Sequence, residues 1–179
     1  MVGRGAETRT SRAASGDPAA DLAATREAAL RLLERTRRTR SDLARRLREK
    51  GFAPERIQEV LDRLQGVGLV DDAEYARAFL AERWGRRAAG WRRLEMDLRR
   101  RGVAAEDIAR GRERFEEERG PADELSLARR VLAQAARRTL SLEPRQRRQR
   151  LYALLARRGF DSETIEAALR EGIPEPADR

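Results

Sequence analysis

The chain has 179 residues, 40% of them charged, and carries a formal net charge of +9 with a pI near 11.2. It contains no cysteine and no histidine, which excludes disulfides, thiolate metal sites, a cysteine nucleophile and the usual general base at neutral pH. Lys50 is the single lysine, so arginine supplies nearly all of the positive charge. This balance favours a polyanionic partner such as nucleic acid; a compositional bias toward arginine is the alternative.

Helical spacing of apolar residues begins after a polar N-terminal segment. We expect residues 1–20 to form a disordered basic tail, because they lack any periodicity. A first helix is predicted from about Asp21 to Arg37. Ser41 is expected to cap a second helix that Gly51 ends, and Pro54 to open a third.

The middle of the chain repeats this pattern of helices and breaks. Asp71 and Glu74 are spaced as in a capping box, which predicts the start of a helix. A basic loop from Arg83 to Gly90 then leads into a helix ended by Gly102, and one more helix follows it. Gly120-Pro121 marks a boundary.

Three further segments complete the chain. A long helix is predicted from about Ala122 to Thr139. Pro144 opens another helix, which Gly159 ends. A last helix runs over about residues 162–170, and residues 172–179 are expected to form a flexible tail.

An internal repeat relates these segments. In each copy two leucines four residues apart precede a glycine, and an isoleucine follows the glycine by six residues. The aligned residues are Leu43, Leu94 and Leu151; Leu47, Leu98 and Leu155; Gly51, Gly102 and Gly159; and Ile57, Ile108 and Ile165. The glycine is expected to stop a helix, and the apolar residue after it to pack back over the helix end. The sequence therefore predicts an all-α fold of three tandem three-helix repeats in an elongated arrangement, over residues 21–70, 71–119 and 120–171.

The second copy is the weakest of the three. Gly111 and Arg112 stand where the first copy has Val60 and Leu61. Helix–turn–helix segments of this length also occur in proteins that read DNA bases. No copy has a pattern of Asn, Gln or Arg that sets it apart as a recognition helix, so sequence-specific reading is disfavoured.

The order and spacing of these motifs resemble the RecX regulatory protein family over about residues 25–171. The resemblance is carried by residues 40–43, 47–52, 68–76 (Gly-Leu-Val-Asp-Asp-Ala-Glu-Tyr-Ala), 94–103 and 151–160. It implies three tandem three-helix repeats and modulation, usually inhibition, of the RecA recombinase. It also implies binding along RecA–DNA filaments and an affinity for DNA. Gly90-Trp91 departs from the Gly-Pro that the family often has there, which affects the local turn.

Charge is unevenly distributed along the chain. Residues 83–101 hold eight arginines and two acidic residues, and residues 137–158 hold eight arginines and only Glu143, with an acidic stretch between them. A solvated helical surface usually mixes its signs more evenly. Both clusters are therefore predicted to face DNA phosphates or an acidic surface of RecA. The predicted contact residues are Arg86, Arg87, Arg92, Arg93, Arg145, Arg147, Arg148 and Arg150.

Binding without catalysis is the leading interpretation. Trp84 and Trp91 are expected to pack rather than to stack on bases, and Asp71 with Asp72 to cap a helix rather than to hold a metal. No catalytic residue, metal or cofactor is predicted. We expect a cytosolic monomer without a membrane partner that regulates RecA in DNA repair and the SOS response. Its DNA binding, to single or double strands, is expected to be non-specific. The alternative is a general basic DNA-binding or architectural protein.

Overall fold

The computed structural model describes residues 18–86 and 88–171. Predictions for residues 1–17, Arg87 and residues 172–179 lie outside this range. Within it, all regular secondary structure is helical, as the sequence predicts. The helices are α1 (Pro18–Arg35), α2 (Arg40–Glu49), α3 (Pro54–Gly66), α4 (Asp72–Arg83), α5 (Trp91–Arg99), α6 (Ala105–Arg119), α7 (Glu124–Ala136), α8 (Pro144–Arg157) and α9 (Ser162–Arg170), with a 3₁₀ turn (Arg137–Thr139) after α7.

The described residues form two compact units, one ending at Asp72 and the other beginning at Ala73. Helices α1 to α3 form the first unit, around buried side chains that include Leu43, Leu47 and Leu61. Helix α1 begins at Pro18, somewhat before its predicted start. None of the described helices is long and apolar enough to cross a membrane.

The predicted cap of α2 is wrong. Thr39, not Ser41, precedes the first helical residue, and its hydroxyl oxygen accepts the backbone N–H of Asp42 at 3.1 Å. The helix therefore begins at Arg40, two residues before the start that a cap at Ser41 implies, because the backbone of Thr39 is extended and suited to the capping position.

The glycine that ends the second helix of each repeat has the predicted left-handed conformation. The φ angles are +85° at Gly51, +78° at Gly102 and +85° at Gly159. The N–H of the residue after each glycine donates to the carbonyl of the second leucine of the repeat, at 3.2 Å in all three copies. These are the hydrogen bonds of a Schellman cap, which leave the helix no further turn.

The second unit contains two three-helix groups, α4 to α6 and α7 to α9, each with its own buried cluster. Trp84 packs against both clusters, so it lies between the two groups. Gly111, which made the second repeat look weak, is buried where α6 approaches α4. A Cβ atom on Gly111 would lie 2.6 Å from the carbonyl oxygen of Ala73 and from the Cβ of Ala76. The missing side chain is therefore what lets the two helices pack closely.

Backbone groups of the third repeat cap the N-terminus of α5. The N–H of Gly90 donates to the carbonyl of Arg158 at 2.9 Å, and that of Arg92 donates to Gly159 at 3.1 Å. The N–H of Trp91 donates to the carboxylate of Glu124 at 2.6 Å. Proline at this position could not make that hydrogen bond, because it has no N–H.

Candidate polyanion-binding surface

Arginines of the first repeat are largely held by carboxylates of the same unit. Asp42 accepts hydrogen bonds from Arg38, Arg45 and Arg46 at 2.5 to 2.8 Å. Burial by itself would raise the pKa of Asp42, but these three guanidinium groups outweigh it and lower the pKa to about 2. Salt bridges of the same kind hold Arg31, Arg40, Arg56 and Arg63.

Helix α8 differs from this arrangement. It carries Arg145, Arg147, Arg148, Arg150 and Arg157, with Arg158 at its C-cap, and it contains no acidic residue. Among the residues that the structure describes, none of these six arginines has a carboxylate oxygen within 4.0 Å. The positive charge of α8 is therefore not compensated within the described protein, and an external anion could balance it.

The predicted arginines of α8 do not share one side of the helix. Arg145 and Arg148 are exposed and three residues apart, and Tyr152, which is 36% exposed, follows at the helical spacing of the same side. Arg147 and Arg150 belong to another side, together with Leu154 and Arg157. The sequence prediction thus combined two distinct surfaces of one helix.

Arg147 is half-buried, unlike its neighbours. Its Nε and Nη2 atoms are covered by protein and have no hydrogen-bond partner in the described part of the chain. A guanidinium held in this way offers fewer donors to an external phosphate than Arg145 or Arg148 does. Arg147 is therefore the weakest of the predicted contact residues in the third repeat.

A recess of about 400 Å³ opens beside α8, against α7 and the 3₁₀ turn. The apolar part of its floor is formed by the half-buried side chains of Ala135 and Leu154, and its polar lining includes Gln134 and Thr139. The arginines that line it are Arg138, Arg150, Arg157 and Arg158. Of these, only Arg150 was among the predicted contact residues. The i, i+7 spacing of Arg150 and Arg157 was the available signal in the sequence, whereas the position of Arg138 depends on the 3₁₀ turn.

The second-repeat cluster is partly neutralised by its own carboxylates. Arg86 and Arg92 are exposed and form no salt bridge within the described structure, but Arg93 lies 3.5 Å from Asp97. Arg99 pairs with Glu95 at 2.7 Å. Arg87 lies outside the described residues.

The two predicted clusters meet at one place. The N-terminus of α5, with Arg92 and Arg93, lies against the C-terminal end of α8 at Arg158 and Gly159. A Cβ atom on Gly159 would lie 2.4 Å from the backbone nitrogen of Arg93, so the two segments are in direct contact. The second- and third-repeat arginines can therefore contribute to one continuous cationic region.

Glu124 lies at the same junction and is the carboxylate that caps α5. Partial burial raises its pKa, and this outweighs the opposing effects of the hydrogen bond from Trp91 and of the nearby arginines. One of its oxygens accepts the backbone N–H of Trp91 at 2.6 Å, so the side chain is held at the junction of the two repeats.

The two tryptophans are packed within the second unit, as expected. Their ring centroids are 6.2 Å apart, and Trp84 meets Phe115 edge-on at the same distance. The guanidinium of Arg112 lies 4.2 Å from the centroid of the Trp91 ring. These contacts use the aromatic surfaces that base stacking would require.

No group of three or more acidic residues that could hold a metal ion occurs in the described ranges. Asp72 instead accepts the backbone N–H of Arg40 at 2.8 Å, and α4 begins at this residue. Its carboxylate therefore has a structural role at the start of α4.

Three three-helix units in tandem, with matching leucines and matching glycine caps, place the chain among the helical-repeat proteins. Family models described as the first, second and third three-helix domains of RecX match residues 26–64, 71–111 and 122–169. The chain belongs to the RecX family.

Curated relatives and solved structures agree with this assignment. The regulatory protein RecX of Streptomyces coelicolor is 34% identical over 174 residues, which cover 96% of this chain and 89% of the relative. That of Thermobifida fusca is 36% identical over 144 residues, covering 80% and 76%. The crystal structure of RecX from Lactobacillus salivarius has the same fold, with a TM-score of 0.75 at 19% identity over 86% of this chain and 97% of that one. A further crystal structure of a regulatory protein RecX has a TM-score of 0.72 at 26% identity, over 84% of this chain and 72% of that one.

Proposed function

We propose that this protein binds RecA–DNA filaments and inhibits the recombinase and ATPase activities of RecA in DNA repair and the SOS response. Membership in the RecX family supports RecA as the partner. The observation that carries the binding surface is the set of arginines on α8 that no described carboxylate neutralises.

Non-specific attraction to phosphates follows from the chemistry of that surface. Arg145, Arg148 and Arg150 are exposed, and each guanidinium can donate two parallel hydrogen bonds to a phosphate. Each phosphate contact releases counterions, so affinity should fall steeply with salt and depend little on base sequence. Tyr152 on the same side as Arg145 and Arg148 offers a ring on which an unpaired base can stack.

The protein acts by binding in this proposal, without a catalytic step. The sequence has no histidine or cysteine, and the relatives it matches are named regulatory proteins. Regulation then requires only that the bound protein change how RecA hydrolyses ATP or exchanges strands.

A second candidate is a general DNA-binding protein without a specific effect on RecA. The uncompensated arginines of α8 favour it independently, because they would serve any nucleic acid. The two candidates differ in whether the protein acts on RecA when DNA sites are already saturated.

The test adds the protein to single-stranded DNA coated with RecA and follows ATP hydrolysis and strand exchange. Binding to the same DNA without RecA is measured in parallel. The proposal predicts inhibition at protein amounts that leave most naked DNA unbound. No effect at amounts that saturate the DNA, with DNA binding intact, would favour the second candidate.

A further inference from the structure

We propose that the recess between α7, the 3₁₀ turn and α8 binds one nucleotide, with its base on the apolar floor and its phosphates on Arg138, Arg150 and Arg157. The nucleotide belongs either to a single DNA strand or to a free nucleoside polyphosphate. For the strand, the proposal rests on the proposed DNA binding; for the free nucleotide, it does not.

The size of the recess matches this class of ligand. Its volume of about 400 Å³ lies within the range of roughly 300–1,000 Å³ that is usual for small-molecule sites. Surface arginines that only track a DNA backbone need no concave site. The recess therefore has room for a ligand that inserts a group into the protein.

The uncharged part of the lining offers both apolar surface and a hydrogen-bonding amide. Ala135 and Leu154, both half-buried, supply the apolar surface on which the face of a base can lie, and the buried side chains of Val131 and Leu151 support it from below. Gln134 brings an amide, which can donate to and accept from the edge of a base.

All charged side chains that line the recess are positive. Arg138, Arg150, Arg157 and Arg158 line the recess, and no acidic residue does. None of the four forms a salt bridge with a described residue, so their donors are available to phosphate oxygens. A guanidinium can also stack on a base, which suits arginines placed beside an apolar floor.

Ala135 offers a test of shape that leaves charge unchanged. It lines the recess and is half-buried, so Ala135→Phe is expected to fill the space above the floor. Ala133 is exposed on the same helix, and Ala133→Phe is the matched control. Thermal unfolding of both variants tests whether each remains folded. If Ala135→Phe does not fold, Arg150→Gln with Arg157→Gln removes two phosphate donors and leaves the floor intact.

Two measurements identify the source of the nucleotide. The first is calorimetric titration of the full chain with ATP, with inorganic triphosphate as the comparison. The second is photo-crosslinking of a thymidine oligonucleotide that carries 4-thiothymidine, followed by mapping of the crosslinked peptide. Neither measurement includes RecA, so a failure here is distinct from a failure of the proposed regulation.

The free nucleotide is supported if ATP binds more strongly than triphosphate. In that case Ala135→Phe, and Arg150→Gln with Arg157→Gln, should each weaken ATP binding at least about tenfold. The DNA strand is supported if ATP does not bind, but the oligonucleotide crosslinks to residues 134–158 and both variants abolish that crosslink. Ala133→Phe and the first-repeat pair Arg56→Gln with Arg63→Gln should change neither result. Triphosphate binding as strong as ATP binding would exclude the free nucleotide. The proposal is overturned if neither probe binds at the recess, or if Ala135→Phe weakens neither ATP binding nor the crosslink.

Discussion

The carboxylate of Glu124, at the first residue of α7, accepts the backbone N–H of Trp91, at the first residue of α5, at 2.6 Å. A side chain of the third repeat thereby caps a helix of the second. The carbonyls of Arg158 and Gly159 accept the N–H groups on either side of Trp91, so three consecutive donors of α5 depend on the neighbouring repeat. This arrangement couples the two repeats that carry the arginine clusters.

Removal of that cap should destabilise the second unit. Glu124→Ala leaves the N–H of Trp91 without its acceptor and is expected to cost about 1–2 kcal/mol of unfolding free energy. Glu124→Gln keeps an acceptor oxygen and should cost less. Urea denaturation of both variants measures the difference, and equal losses would show that the hydrogen bond contributes little.

Substitutions at two equivalent glycines distinguish the cost of backbone strain from the cost of a steric clash. Gly51 and Gly159 both have a φ of +85°, but a Cβ atom on Gly51 has no neighbour within 4 Å, whereas one on Gly159 would lie 2.4 Å from the backbone nitrogen of Arg93. Gly51→Ala should cost about 1–2 kcal/mol from the left-handed conformation alone.

Gly159→Ala should cost roughly 1–3 kcal/mol more than Gly51→Ala, because the contact is with backbone that cannot move aside. Hydrogen exchange at the N-terminal amides of α5 should also accelerate in Gly159→Ala only. Identical losses in the two variants would show that the repeats are not tightly apposed at Gly159.

Asp42 should make the first repeat sensitive to acid. Its pKa is about 2 in the folded protein, below the ordinary value of 3.8, so its ionised form favours folding. The sign is that of a lowered carboxylate pKa: the contribution is complete above about pH 4 and is lost as the pH falls through about 2.

Asp42→Asn is expected to remove about 1–2 kcal/mol at neutral pH and to flatten the loss of stability between pH 4 and 2. Glu49→Gln is the control, since Glu49 is exposed and Arg45 is its one salt-bridge partner among the described residues; it should change stability by less than about 0.5 kcal/mol. Stability is followed by urea denaturation across this pH range. An unchanged acid profile in Asp42→Asn would assign the acid sensitivity to other groups.

The repeat architecture could be predicted because its determinants are local. Leucines at i, i+4 define an amphipathic helix, and a glycine four residues later fixes where it ends, whatever the rest of the chain does. Gly51, Gly102 and Gly159 therefore have the expected conformation. The cap of α2 was missed because Ser41 and Thr39 are both good caps and local preference does not choose between them.

The binding surface was only partly predictable, because pairing depends on residues far apart in sequence. Arg40 pairs with Asp62, and Arg77 pairs with Glu118 in addition to its local partner Glu74; neither of the two long-range pairs follows from local spacing. The sequence does show that α8 lacks acidic residues, and its arginines are indeed without carboxylate partners in the described structure. It does not show that Arg147 is half-buried or that Arg138 joins a recess with Arg150.

The salt dependence of DNA binding tests most directly whether the uncompensated arginines of α8 are the interaction surface. The variant is Arg145→Gln with Arg148→Gln, which removes two exposed arginines from one side of the helix. The control is Arg56→Gln with Arg63→Gln, which lowers the net charge equally but removes arginines already paired with Glu59.

If each α8 arginine contacts a phosphate, the variant should flatten the slope of log K against log salt by roughly 2, and inhibition of RecA should need more protein. The control should keep the slope of the unmodified protein. Equal slopes in all three proteins, or equal flattening in variant and control, would contradict the assignment of binding to α8.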